Sequence, residues 1–188
     1  MTEAALAGGL GACVFDTDLG PCGLVWSELG VVASRLPPVS WADLERRYPQ
    51  AQPVQEANLP DAMQRVVAGV RDLLAGRRAD LSDVVLDERD VPAFHRQVHA
   101  LTRAIPQGET RTYGELAVAL GQPGAARAVG RVQAENPFPP IVPCHRVMGA
   151  SGALTGFSAP GGVVTKQRLL VLEARAVGQW AGEQPALF

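Results

Sequence analysis

Thr112-Tyr113-Gly114-Glu115-Leu116-Ala117-Val118-Ala119-Leu120, then Gly121-Gln122-Pro123-Gly124, then Ala125-Ala126-Arg127-Ala128-Val129-Gly130-Arg131 is the stretch on which the fold of the second half turns. Thr112 and Glu115 have the Ser/Thr-x-x-Glu spacing of a capping box, which opens a helix to about Leu120. The Gly/Pro-containing tetrapeptide makes a tight turn, and a second helix runs from about Ala125 to Ala134. Two short helices joined in this way have the spacing of a helix-turn-helix, and equally that of an ordinary helical hairpin. The second helix is thin, with Ala125, Ala126, Ala128 and Gly130, while Arg127 and Arg131 stand four residues apart on one face. Such a helix can enter a nucleic-acid groove closely and send an arginine into the base stack. A close helix–helix contact with two solvated arginines fits the same pattern.

Upstream, Pro92 suits the first turn of a helix carrying Phe94, Val98, Leu101 and Ile105, which Pro106-Gln107-Gly108 stops. The first 36 residues alternate short apolar runs with turns and read as a small antiparallel sheet. The polar stretch to Pro60 reads as loop or a short helix. Met63, Val66, Val67, Val70, Leu73 and Leu74 keep helical spacing up to a capping Gly76. Val84-Val85-Leu86 is a candidate further strand. The expected fold class is α+β: a small N-terminal antiparallel-sheet domain with a helix (1–90), then a mainly helical domain (91–176) containing a winged-helix-like helix-turn-helix. Residues 177–188 read as a flexible tail.

Downstream lies Pro139-Pro140-Ile141-Val142-Pro143-Cys144-His145-Arg146-Val147. Three prolines restrict the backbone entering Cys144, as positioning a reactive side chain requires. Cysteine reacts as thiolate, and an imidazole is a common means of generating it. Adjacent residues on an extended strand face opposite ways, so His145 assists Cys144 only across a sharp turn or through a water. A carboxylate is needed to orient the imidazole, and Glu173 on the last helix is the candidate. Cys-His alone is weak evidence, since buried structural cysteines beside a histidine are ordinary.

Hydrophobic residues make up 47% and charged residues 19% of the 188, a soluble globular profile. No apolar run approaches the roughly 18 residues of a membrane span, and the acidic Met1–Ala5 does not read as a secretory signal. Three cysteines cannot all pair, which fits a cytoplasmic location. The net charge of −2 hides an asymmetry: residues 1–90 hold 8 Arg/Lys against 14 Asp/Glu, and residues 91–188 hold 9 against 5. An anionic partner would therefore prefer the second half.

Taken in order, Ile105-Pro106-x-Gly108-Glu109-Thr110-x-Thr112-Tyr113-Gly114-Glu115, Ala125–Gly130, Asn136-Pro137, Ile141–Val147, Gly152-x-x-x-Gly156-Phe157 and Lys166-x-x-Leu169-Leu170 resemble the O6-alkylguanine-DNA alkyltransferases. The resemblance runs collinearly from about Phe94 to Glu173, and Pro-Cys-His-Arg is its most specific piece. It implies irreversible, single-turnover transfer of an alkyl group from O6-alkylguanine, and by extension O4-alkylthymine, in double-stranded DNA to Cys144. His145, held by Glu173, would deprotonate the thiol through a water, and Tyr113 would donate to the leaving base. The target base would leave the duplex, with Arg127 filling the gap beside Ala125 and Ala126, and Arg131 on the same face. Asn136 would tie the helix-turn-helix to the thiol segment, and the backbone near Val147 would accept from the guanine amino group. Pro143, Arg146, Phe157, Ser158 and Lys166 would support the pocket. No metal, cofactor or membrane is implied, and a monomer is expected.

The chain departs from the family pattern at three places. His99 stands where tryptophan is usual, and Gln107 where tyrosine or a similar residue is usual. The passage Ser158-Ala159-Pro160-Gly161-Gly162 is about two residues longer. Competing readings are a lesion-binding protein with little transfer, which Cys144 argues against, a Cys/His hydrolase, and a regulator using the helix-turn-helix alone. His95 and His99 have the spacing of a zinc pair but lack the glutamate of the protease motif. Cys13 and Cys22 are expected to pack in the N-terminal sheet.

Overall fold

The computed structural model describes residues 9–179. Strands β1 (Leu10–Phe15), β2 (Cys22–Ser27) and β3 (Gly30–Arg35) form the expected antiparallel meander. Helix α1 (Trp41–Arg47) follows, and β4 (Ala51–Pro53) adds a short parallel edge beside β1, giving the order β3-β2-β1-β4. Side chains alternate across a pleated strand, so Ala12, Val25 and Ala33 face Val39 and Leu44 beneath α1. Cys13, Phe15, Cys22, Leu24 and Trp26 face the other way, onto α2 (Asp61–Leu74). Met63, Val66, Val67, Val70, Leu73 and Leu74 line the buried side of α2, each contributing on the order of 1.5–3 kcal/mol by leaving water. Gly76, at φ +71°, ends it as expected.

Val84-Val85-Leu86 does not form a strand. It reaches β3 by a single parallel bridge, Val31 to Leu86, with Val31 N–H donating to Val85 O and Asp87 N–H donating to Val31 O. The same strand donates Ser34 N–H to Pro137 O at 2.9 Å, so β3 is tied directly to the segment that leads to Cys144.

Helices α3 (Ala93–Arg103), α4 (Tyr113–Ala119) and α5 (Ala126–Ala134) pack through Val98, Ile105, Leu116, Ala117, Val129 and Val132. The Thr112 capping box is present in both halves: Thr112 Oγ1 accepts from Glu115 N–H, and Glu115 accepts from Thr112 N–H. Gly121 at φ +71° makes the turn between α4 and α5. Strands β5 (Arg111–Thr112) and β6 (Val147–Met148) pair in parallel, fastening the start of α4 to the residues after the thiol. Helix α6 (Gly162–Ala176) closes the molecule. The largest apolar cluster runs from the N-terminal sheet through Phe138, Ile141 and Val142 to Leu169 on α6, so the thiol segment lies over a core shared by both halves. Val177 to Gln179 cap α6 with backbone hydrogen bonds; the rest of the expected tail lies outside the described residues.

Candidate active site and nucleic-acid interface

Pro143, at φ −79° and ψ 66°, turns the chain into a 3-10 turn over Cys144–Arg146. The backbone at Cys144 is thus sharply turned rather than extended, so the opposite-face rule for neighbouring strand residues does not apply there. Cys144 N–H donates to Val142 O at 2.8 Å, and Arg146 N–H to Pro143 O at 2.9 Å. Asn136 braces the approach: its Nδ2 donates to Val142 O at 2.8 Å and its Oδ1 accepts from Phe138 N–H at 2.9 Å. The second residue after α5 is thus bonded to the residue two before the thiol.

Cys144 is 5% exposed. Burial pushes its thiol above the usual cysteine range, outweighing the Asn136 side chain and the Lys166 charge that pull it down. At rest the group is a protonated thiol, and reaction as a thiolate would need a base. His145 is fully buried, with Nε2 2.7 Å from Glu173 Oε1. His145 Nδ1 has no protein hydrogen-bond partner, so in the tautomer whose Nε2–H donates to the carboxylate it is the nitrogen left to accept a proton.

Glu173 also accepts from Arg146 Nε at 3.0 and 3.1 Å, from Arg146 Nη2 at 2.9 Å and from Gly108 N–H at 3.3 Å. Burial raises the Glu173 carboxyl, but His145 and Arg146 together outweigh it and hold it at about 2. Arg146 Nη1 completes the hub by donating to Ile105 O at 2.6 Å. Sequence reasoning placed Arg146 only as pocket support. Its close bonding to Glu173 was hidden because a Pro-Cys-His-Arg turn does not reveal which helix it faces.

Lys166 is buried on α6, donating to Val147 O at 2.6 Å and Thr155 O at 3.3 Å. Its ammonium lies 5.9 Å from the Tyr113 ring centre. Tyr113 donates its hydroxyl to Thr155 O at 3.3 Å, and burial raises its pKa, so the phenol stays a proton donor. Cys144, Asn136, Pro139, Phe157 and Ser158 line a cavity of about 510 Å³. Arg127 and Arg131 are exposed on α5, with Ala125 and Ala126 half-buried at its start. The sequence reading did not nominate Arg35, Arg46 and Arg47, which line the same cavity from β3 and α1. Arg46-Arg47 is visible as a basic doublet in an otherwise acidic half, but nothing in the sequence brings it to the thiol.

Residues 93–175 match the family model described as "6-O-methylguanine DNA methyltransferase, DNA binding domain". The methylated-DNA–protein-cysteine methyltransferase of Mycolicibacterium paratuberculosis is 54% identical over 93 residues, which is 50% of this chain and about half (54%) of that protein. The Salmonella typhimurium protein of the same name is 38% identical over 162 residues, covering 82% of this chain and 90% of that one. The chain belongs to the methylated-DNA–protein-cysteine methyltransferase family. The crystal structure of the Mycobacterium tuberculosis O6-methylguanine methyltransferase superposes with a TM-score of 0.71 at 35% identity, over 92% of this chain and 96% of that one.

The three departures from the methyltransferase pattern have local explanations. His99 is buried edge-on against Phe138, 5.7 Å between ring centres. Burial, then His95 and Arg103, lower its pKa to about 4, so near neutral pH it packs as an uncharged aromatic. Gln107 donates to Arg77 O at 3.0 Å and accepts from Ala79 N–H at 3.1 Å, joining the turn after α3 to the turn after α2. In the longer loop, Ser158, Ala159 and Pro160 wall the thiol cavity, and Thr165 Oγ1 donates to Pro160 O at 2.6 Å.

His95 and His99 lie edge-on with centroids 6.3 Å apart. Among the described residues no group of three or more His, Cys, Asp or Glu side chains is placed to hold a metal ion. Among them, too, no helix is long and apolar enough to cross a membrane.

Proposed function

We propose that this chain repairs alkylated double-stranded DNA by direct reversal, moving the alkyl group from O6 of guanine, or O4 of thymine, irreversibly to Cys144. The observation that carries the reading is Cys144 on its turn, with His145 clamped by buried Glu173. His145 Nδ1 takes the thiol proton through a water, and Glu173 stabilises the imidazolium that results. The thiolate attacks the alkyl carbon in line; the S–C bond forms as the C–O6 bond breaks. The electron pair leaves on the base, where the Tyr113 hydroxyl donates to it.

The lesion reaches the buried thiol only outside the duplex. Helix α5 offers a thin entry with Ala125 and Ala126, Arg127 fills the vacated stack, and Arg131 lies along the same face. Val147 O keeps a lone pair beyond the one Lys166 uses, and it accepts from the guanine amino group. Asn136, Pro143 and Arg146 hold the thiol turn, while Phe157 and Ser158 wall the pocket. The thioether is stable, so each molecule acts once, as a monomer and with no cofactor. We divide the chain at about residue 90, with 91–176 carrying the chemistry. Three free cysteines suit the reducing cytoplasm.

The test is to incubate the protein with duplex containing O6-methylguanine and weigh both the intact chain and its Cys144 peptide. One added methyl group, saturating at one per chain and located on Cys144, is expected. An unchanged mass, or methyl on another residue, refutes the reading.

A further inference from the structure

Arg35 on β3 and Arg47 at the end of α1 both line the cavity that contains Cys144. Neither guanidinium has a hydrogen-bond acceptor or a carboxylate partner among the described residues, although Arg35 is half-buried. Arg46 and Asp43 line the same cavity, but they neutralise each other at 2.6 Å. The Asp43 carboxylate is further occupied by Ser40 N–H at 3.0 Å and Ser40 Oγ at 2.6 Å. Two uncompensated cations therefore remain on one wall. They also repel each other: burial first, and then the Arg47 charge, lower the pKa of Arg35.

A helix C-terminus attracts cations, which accounts for arginine in the last turn of α1. It does not account for a half-buried arginine on a neighbouring strand turned to the same cavity. Two like charges without a counter-ion are relieved by an anion bound between them, and planar guanidinium forks match phosphate oxygens in particular.

We propose that Arg35 and Arg47 are a phosphate-binding pair that grips a backbone phosphodiester of the strand whose damaged base occupies the thiol cavity. The assignment rests on the repair reading above and extends the DNA contact surface from α5 to the N-terminal sheet and α1. The two contacts differ in kind. Arg127 answers the gap in the duplex, whereas Arg35 and Arg47 hold the displaced strand itself.

The test uses a short single-stranded oligonucleotide containing O6-methylguanine, which needs no base extrusion and so isolates strand contacts from gap filling. Binding is measured across a salt series in a Cys144→Ala background, with and without Arg47→Ala, Arg47→Glu or Arg35→Gln. Arg47 is exposed, so its variants are expected to fold, and thermal melting checks this.

Disabling the pair should make the slope of log affinity against log salt shallower by about 0.7, the value for one phosphate contact on a single strand, and each single substitution should give part of that change. Replacing one phosphate flanking the lesion by a neutral methylphosphonate should weaken the parent at least as much as Arg47→Ala does, and should weaken that variant less than it weakens the parent. A free-phosphate site would instead show inorganic phosphate competing equally at matched ionic strength. Unchanged salt slopes in all three variants, or methylphosphonate losses that add to the variant's at every linkage, overturn the proposal. Alkyl transfer by the unmodified chain is scored separately by mass. Its absence would remove the repair reading, whereas normal transfer with unchanged slopes removes only the phosphate pair.

Discussion

Replacing Glu173 by glutamine keeps the shape of the side chain and removes its charge. In the native protein that carboxylate faces His145 at 2.7 Å and Arg146 at 2.9 to 3.1 Å, all buried. The gap between its ordinary pKa of 4.5 and the value of about 2 held in the fold corresponds to about 3 kcal/mol, at 1.36 kcal/mol per unit. Removing one partner of a buried pair costs about 3–5 kcal/mol by a separate line of reasoning, because the Arg146 charge is left uncompensated. The two agree. For a chain of this length the loss should lower Tm by about 6–20 °C.

The sign with pH follows from the depressed carboxyl. Its contribution is complete above 4.5 and is lost as pH falls towards about 2. Urea unfolding of Glu173→Gln and the parent should therefore differ by about 3 kcal/mol or more at pH 7, and by about 2 kcal/mol less at pH 3. Mass-detected methyl transfer near neutral pH should also slow by at least about tenfold, since the imidazolium loses its counter-ion. A difference below about 1 kcal/mol at pH 7, or an equal one at both pH values, would refute this account of the hub.

Other perturbations separate the remaining roles. Cys144→Ala should bind alkylated duplex and accept nothing; labelled methyl on the variant would sink the acceptor assignment. Arg127→Ala should slow repair in duplex far more than reaction with free O6-benzylguanine, and equal losses would take Arg127 out of base extrusion. Gly108 sits at φ +85°, and a Cβ there would lie 2.5 Å from the Val177 side chain. Gly108→Ala should accordingly cost about 1–3 kcal/mol in urea unfolding; a neutral result would mean that this turn yields easily.

The parts of this fold that local chemistry decides were legible from residues alone. Thr112 and Glu115 cap α4 because both partners lie within one turn, and the apolar face of α2 follows its helical period. Less visible was what depends on distant partners. Helix α1 has a capping box, Ser40 with Asp43, in which aspartate replaces the usual longer acid, so the pattern went unread. The parallel pairing of β4 with β1 depends on a register that short-range pattern does not encode. Val84-Val85-Leu86 has strand composition, but Pro137 and Leu86 share the edge of β3, and neither extends along it. At the site, Cys144, His145 and Glu173 were nominated from the chemistry a cysteine-histidine pair needs and then joined by the family resemblance, whereas Arg35 and Arg47 reach the cavity only through tertiary packing.

Glu173 is also the last of the thiol's partners to be made. A nascent chain already carrying Cys144, His145 and Arg146 has neither an anchored imidazole nor a counter-ion for the arginine until α6 is translated and folds back. On the proposed reading the thiol therefore gains its anchored base only when the helix that follows it is complete. If each copy reacts once, as proposed, coupling reactivity to a finished fold would keep unfinished copies from being spent.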